Sequence, residues 1–166
     1  MSTVALFLFP VAMAIAASSD LATMRISNKL VLLLTASFFV VAIAINLPLQ
    51  QFAMHVLCAL IVLAVAFGLF ALRLIGGGDA KLAAATTLWL GFGSTLPYIA
   101  YTALFGGVLT IVILILRGIP LSPLLARMGW LARLHNKRSG IPYGVAMAIA
   151  GITVYSHSAI FERLSA

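Results

Sequence analysis

Phe52–Ala80 reads FAMHVLCALIVLAVAFGLFALRLIGGGDA. Its first 21 residues, Phe52–Leu72, contain no charged side chain. A helix that crosses the roughly 30 Å hydrocarbon layer needs about 20 such residues. In lipid every backbone N–H and C=O must be satisfied within the segment, so a continuous apolar run of this length is a helix. The run ends at Arg73. Three glycines follow, then Asp79, and a new apolar run opens at Ala80. The stretch therefore reads as a membrane helix, a cation at its edge, a glycine-rich turn, and an acid at the start of the next helix.

The rest of the chain has the same character. Its 166 residues are 64% hydrophobic and 8% charged, with mean hydropathy +1.21. Soluble domains carry about 25% charged residues, so too few polar side chains exist here to cover a water-facing surface. Intrinsic disorder is excluded by the same composition, and a disulfide scaffold by the single cysteine, Cys58. Six apolar segments are expected, at Thr3–Ser19, Leu30–Leu47, Phe52–Leu72, Ala80–Leu96, Tyr98–Leu116 and Pro142–Ile160. The fourth is the least apolar, with Thr86, Thr87, Gly91, Gly93 and Ser94, and its far boundary is drawn at Ser94–Pro97. The period-two alternation of a membrane barrel strand is missing. The first segment has no Lys or Arg before it, which argues for a retained helix over a cleaved signal peptide. The fold expected is an all-α integral membrane protein, one domain over residues 1–166.

Cations orient it, because Lys and Arg gather on cytoplasmic loops. If the first helix runs inward, Arg25 and Lys29 lie in the first inner loop and Arg73 and Lys81 flank the second. Arg117, Arg127, Arg133, Lys137 and Arg138 then lie in or beside the third. Nine of the ten cations fall inside, and Arg163 alone falls outside. Six helices with both termini outside follow. The net charge of +7 is thus explained by topology and implies no nucleic acid. In the third inner loop, Leu121, Leu124, Leu125, Met128, Leu131 and Leu134 recur at helical spacing among cations, with Trp130 at headgroup depth. That pattern predicts a basic amphipathic helix on the inner leaflet.

Only three carboxylates exist: Asp20, Asp79 and Glu162. Glu162 sits beside Arg163 at the outer end. Asp20 falls at the inner end of the first helix and Asp79 at the inner start of the fourth. Ionisable groups at membrane depth are costly and mark function by default. Ion pairs of Asp20 with Arg25 and of Asp79 with Lys81 would be the structural explanation. The shared depth favours a common site instead. Gly76, Gly77 and Gly78 permit positive φ or close approach of another backbone; they could equally form a hinge that caps the third helix.

Gly76-Gly77-Gly78-Asp79 followed by Ala80-Lys81-Leu82 resembles the GxGD motif of the prepilin peptidases. Asp20, followed by Arg25-Ile26-Ser27-Asn28, resembles their other motif, an Asp six residues before an Ile-Pro-Asn triplet, with Ser27 in place of proline. Ile141-Pro142-Tyr143-Gly144-Val145-Ala146 is similar to the segment that opens the last helix of the short members. The resemblance covers nearly the whole chain. It implies an aspartic peptidase of bacterial inner membranes that removes the basic leader of type IV or Flp-type prepilins at the cytoplasmic face. Asp20 and Asp79 would be catalytic, with Gly76, Gly77, Gly78, Lys81, Arg25 and Asn28 in support. The partners implied are the prepilin leader and the bilayer. No cofactor or metal is implied: the cysteine-rich zinc segment of the longer members is absent, since Cys58 stands alone.

Two close carboxylates can share one proton, because both cannot easily ionise together. One then activates water while the other polarises the scissile carbonyl. A helix N-terminus favours an anion, which points to Asp79 as the resting carboxylate and Asp20, at a helix C-terminus, as the protonated acid. A small proton-coupled transporter using the same acids is the alternative function; a non-catalytic scaffold, in which the acids would be dispensable, is a third. His55 and His157 are expected at the outer face and His135 in the inner loop, so they do not form one metal site. Gly93-Ser94 lies at the outer side with no base beside it. Cys58 reads as a packing residue, and Gly106-Gly107 as a place of close helix approach.

Overall fold

The computed structural model describes residues 2–165. They form helices only: α1 (Ser2–Thr23), α2 (Asn28–Ala44), α3 (Leu49–Ala71), α4 (Gly77–Arg117), α5 (Pro123–Ala126), α6 (Gly129–His135), α7 (Tyr143–Tyr155) and α8 (Ala159–Ser165). Three stretches are long and apolar enough to cross a membrane: Val4–Thr23, Leu49–Ala71 and Gly77–Arg117. The bent pair α7 and α8, at 54° to each other, makes a fourth. Large apolar side chains such as Leu57, Leu60, Ile61, Val65 and Phe67 of α3 lie exposed along the bundle, as lipid-facing residues do and a water-facing surface does not.

The 41 residues of α4 are two arms broken at Gly91, where φ is 69° and ψ is 179°. Neighbours show that the chain reverses there. In the first arm, Thr86 packs against Gly151 of α7 and Trp89 against Tyr155, so chain numbers rise together. In the second arm, Ser94 Oγ donates to His157 O and Gly106 packs on Tyr143, so the numbers run oppositely. The expected boundary at Ser94–Pro97 is therefore corrected to Gly91. A reversal needs the left-handed φ that glycine adopts without penalty. There is also no room for a side chain, since a Cβ at Gly91 would lie 2.9 Å from His55 Cε1. His55 is held by Nδ1–H donating to Leu88 O at 2.8 Å. Cys58 packs as expected and is buried. Its Sγ lies 3.2 Å from Thr95 Oγ1, whose own proton goes to Gly91 O.

The first arm is the centre of the bundle: Leu82 and Ala84–Leu90 are buried. That explains why the least apolar segment is tolerated. Thr87 Oγ1 donates to Ala83 O and Ala84 O, and Trp89 Nε1 donates to Leu34 O at 2.9 Å. Phe9, Phe38, Trp89 and Tyr155 surround the same level, with Phe9 and Tyr155 stacked at 4.6 Å.

Three further expectations are corrected. The glycines do not cap α3. Arg73 does, at φ 60°, with Arg73 N–H donating to Phe70 O and Leu74 N–H to Leu69 O, a Schellman cap. The last segment breaks after Tyr155, because Ser158 Oγ accepts from Phe161 N–H and starts a new helix. The basic loop is not one amphipathic helix. Ser122 caps the short α5, and Met128, extended at φ -80° and ψ 101°, separates it from α6.

Gly91→Ala is expected to cost about 1–3 kcal/mol from the disallowed backbone alone, seen as a fall in melting temperature of the purified protein. Gly93→Ala, where a Cβ meets nothing within 4 Å, is expected to leave it unchanged.

Candidate active site

Helix α1 runs one turn past its expected end and carries Asp20 on its last turn, 5% exposed. The acid reaches the start of α7. There Pro142 is the N-cap and Tyr143 the first helical residue, so the N–H of Gly144 has no partner within the helix. It donates to Asp20 Oδ2 at 2.7 Å. A Cβ at Gly144 would sit 2.8 Å from that oxygen, so only glycine lets the carboxylate rest on the backbone.

Asp79 is built alike. It is the third residue of α4, whose N-cap is Gly76, and its carboxylate turns back toward the Gly76 N–H. A Cβ at Gly76 would lie 2.8 Å from Asp79 Oδ2. The two acids are close enough for the charge on Asp20 to act on Asp79. The two sequence-predicted acids thus each rest on a glycine at a helix N-terminus, at the end of the bundle where Gly78 packs on Ile26 of the loop after Asp20.

The remaining glycines have separate work. A Cβ at Gly77 would press on Phe70 Cε2 at 3.1 Å. One at Gly78 would lie 3.3 Å from Ile26 Cβ and 3.7 Å from the Ile26 backbone nitrogen. Gly78 thus joins the start of α4 to the loop after Asp20. None of the three has positive φ, so the motif serves close approach rather than unusual backbone. Lys81 Nζ donates to Asn28 Oδ1 at 3.1 Å, tying α4 to α2. Arg25 contributes its carbonyl, which accepts from Ser19 Oγ at 3.0 Å; its side chain is exposed. Lys81 is thus engaged elsewhere: both acids are buried, and the polar group that Asp20 meets is the Gly144 N–H. The ion pairs with Arg25 and Lys81 are not formed.

Ser27 is the N-cap of α2 at φ -67° and accepts from Lys29 N–H. That φ is the one proline would fix, so the serine keeps the turn and supplies a cap. His55 and His157 lie at the far end of α7 from the acids, and His135 lies in α6. They are not brought together. Ser94, bonded to His157 O, is likewise remote from the acids. Gly106 approaches Tyr143, where a Cβ would meet Cε1 at 2.7 Å, whereas Gly107 faces open space. Sequence reasoning left Gly144 out of the site. The available signal was Pro142 opening an apolar helix, which announces free N–H groups at that depth.

The model of the type IV leader peptidase family matches residues 7–111. The chain belongs to that family. It is a peptidase with several long apolar helices, as a multi-pass membrane protein of this family has. The match gives no support to the transporter alternative. No curated protein and no solved structure matches the chain. The match contains both acids and the three glycines but stops before Gly144, so the donor to Asp20 comes from outside the matched region.

Gly144→Ala is expected to displace the Asp20 carboxylate and lower peptidase activity at least tenfold. Gly140→Ala, where a Cβ meets nothing within 4 Å, should be neutral. Equal activity of the two variants in a cleavage assay would remove the Gly144 contact from the mechanism.

Proposed function

We propose that the protein is an aspartic endopeptidase of the bacterial inner membrane that removes the basic leader from type IV prepilins, of the Flp type, at the cytoplasmic face. The observation that supports this reading is that Asp20 and Asp79 are each buried against a helix N-terminus at the same end of the bundle, with no cation paired to either. In this reading the chain is a single membrane-embedded domain. It crosses the bilayer six times with both termini outside, the arms of α4 counting as two crossings. The first arm, residues 77–90, spans about 21 Å at 1.5 Å per residue, shorter than the hydrocarbon layer, so its start lies below the surface where water reaches from one side.

The roles of the acids are revised from the helix-terminus argument. Both acids lie on helix N-termini, but Asp20 holds a closed 2.7 Å bond from Gly144 N–H, which favours its ionised form, and a second carboxylate at the same site then keeps its proton. Asp20 is then the base and Asp79 the protonated partner. Oδ2 of Asp20 is held by Gly144, which leaves Oδ1 to take a proton from water as the water oxygen attacks the scissile carbonyl. Asp79 gives its proton to the carbonyl oxygen. Collapse of the tetrahedral intermediate returns the hydroxyl proton to Asp79 and breaks the C–N bond, while Asp20 gives the proton it took from water to the departing amine. Preorganised N–H groups hold the charge without needing to reorganise. Gly76, Gly77, Gly78, Lys81, Arg25 and Asn28 support this arrangement by fixing the starts of α2 and α4.

Co-expression with a candidate Flp-type prepilin tests the function through the gel shift that accompanies leader loss. Asp20→Asn and Asp79→Asn are each expected to abolish processing. Processing that survives both substitutions together would refute a catalytic pair. For the roles, the infrared band of a protonated carboxyl should persist in Asp20→Asn and vanish in Asp79→Asn; the opposite pattern would reverse the assignment.

A further inference from the structure

The loop between α4 and α7 folds back on the end of α4 and forms a half-open cavity of about 290 Å³. Ile113, Leu116, Leu121, Leu125 and Leu134 form its walls. The polar groups on it are Arg117, Ser122 and His135. Arg117 is 8% exposed. Its Nε donates to Leu134 O and its Nη2 to Gly140 O, both at 2.8 Å. These partners are neutral carbonyls. They use two of the five guanidinium N–H groups and leave the charge itself uncompensated.

A buried charge is costly unless it is paired. The chain's own acids are engaged elsewhere, Asp20 on Gly144, Asp79 at Gly76 and Glu162 in α8. Arg127, Lys137 and Arg138 lie exposed around the same loop and add positive charge. The cavity therefore asks for an anion beside Arg117 and for an apolar group along its walls. One molecule that meets both demands is an amphiphile with an anionic head. The volume lies at the small end of ligand pockets, which run from roughly 300 Å³ upward, so it holds part of one chain and leaves the head at the rim. A basic loop beside membrane helices lies where anionic headgroups concentrate.

We propose that this cavity binds an anionic phospholipid, with its phosphate at Arg117 and His135 and one acyl chain along Ile113, Leu116, Leu121 and Leu125. The site does not depend on the peptidase reading. It does touch it, since Arg133 of α6 hydrogen-bonds Ala22 O in the last turn of the helix that carries Asp20. Filling the cavity steadies the loop packed against that helix end.

The test uses the full chain purified in uncharged detergent, titrated with phosphatidylglycerol, phosphatidylcholine or inorganic phosphate and read by native mass spectrometry and melting temperature. One phosphatidylglycerol is expected to stay bound and to raise the melting temperature. Phosphatidylcholine should bind at least tenfold more weakly, and phosphate alone should neither bind nor displace the lipid. Arg117→Gln should erase the preference for phosphatidylglycerol. Because Arg117 also ties the loop together, Leu125→Trp provides a second arm: it fills the cavity, leaves Arg117 in place, and should lose the bound lipid with the lipid-free melting temperature kept. Equal binding of the two lipids, undiminished binding by Leu125→Trp, or displacement by phosphate would each overturn the proposal.

Discussion

One hydrogen bond, from the N–H of Gly144 to the carboxylate of Asp20, sets the geometry on which the site depends. It requires the last long helix to begin at the depth where the first one ends. It requires a helix N-terminus there, since only the first residues of a helix have N–H groups to spare. It also requires glycine, because a Cβ would occupy the place of the carboxylate oxygen. With α1 and α7 locked together at that end, Phe9 stacks on Tyr155 and Met13 reaches Gly151 farther along the same pair. The first arm of α4 packs on both, and its opening turn sets the Asp79 carboxylate against Gly76.

The central position of that arm has a consequence for composition. A lipid-facing helix is cheapest when wholly apolar, but a helix surrounded by other helices can carry hydroxyls that are satisfied within the bundle. Leaving a buried hydroxyl unpaired costs about 1–3 kcal/mol. Thr87 avoids this by bonding its own preceding turn, and Trp89 by bonding α2. Small residues, Ala80, Ala84 and Ala85, allow close packing. The arm's modest hydropathy is thus a mark of burial among helices rather than of a marginal span.

These relations also explain which parts of the molecule were legible in its sequence. Apolar runs reveal membrane helices because the bilayer imposes their length and composition, and the acids stood out because little else in such a chain is charged. The reversal at Gly91 was hidden by Pro97, which looks like the stronger breaker. Yet a proline is accommodated within the second arm, while left-handed φ and the imidazole of His55 leave no alternative to glycine at 91. Gly144 was hidden for another reason. Its role depends on a partner 124 positions away, and no local pattern reports that distance. The spacing of leucines in the basic loop suggested one helix, but periodicity does not register Met128, where the backbone is extended.

The same contacts bear on the cations that crowd this end of the molecule. A carboxylate bonded to Lys or Arg would be held ionised, whereas a pair that splits water needs one member to keep its proton. Lys81 is occupied by Asn28, Arg133 by the Ala22 carbonyl, and Arg117 by the carbonyls of Leu134 and Gly140. Each of these positive groups is turned to a neutral oxygen. The acids are left to backbone N–H groups, which stabilise charge in part without fixing it. A chain with ten cations and three carboxylates could have neutralised its buried acids many times over. Keeping the cations on carbonyls leaves both buried acids without a positive partner.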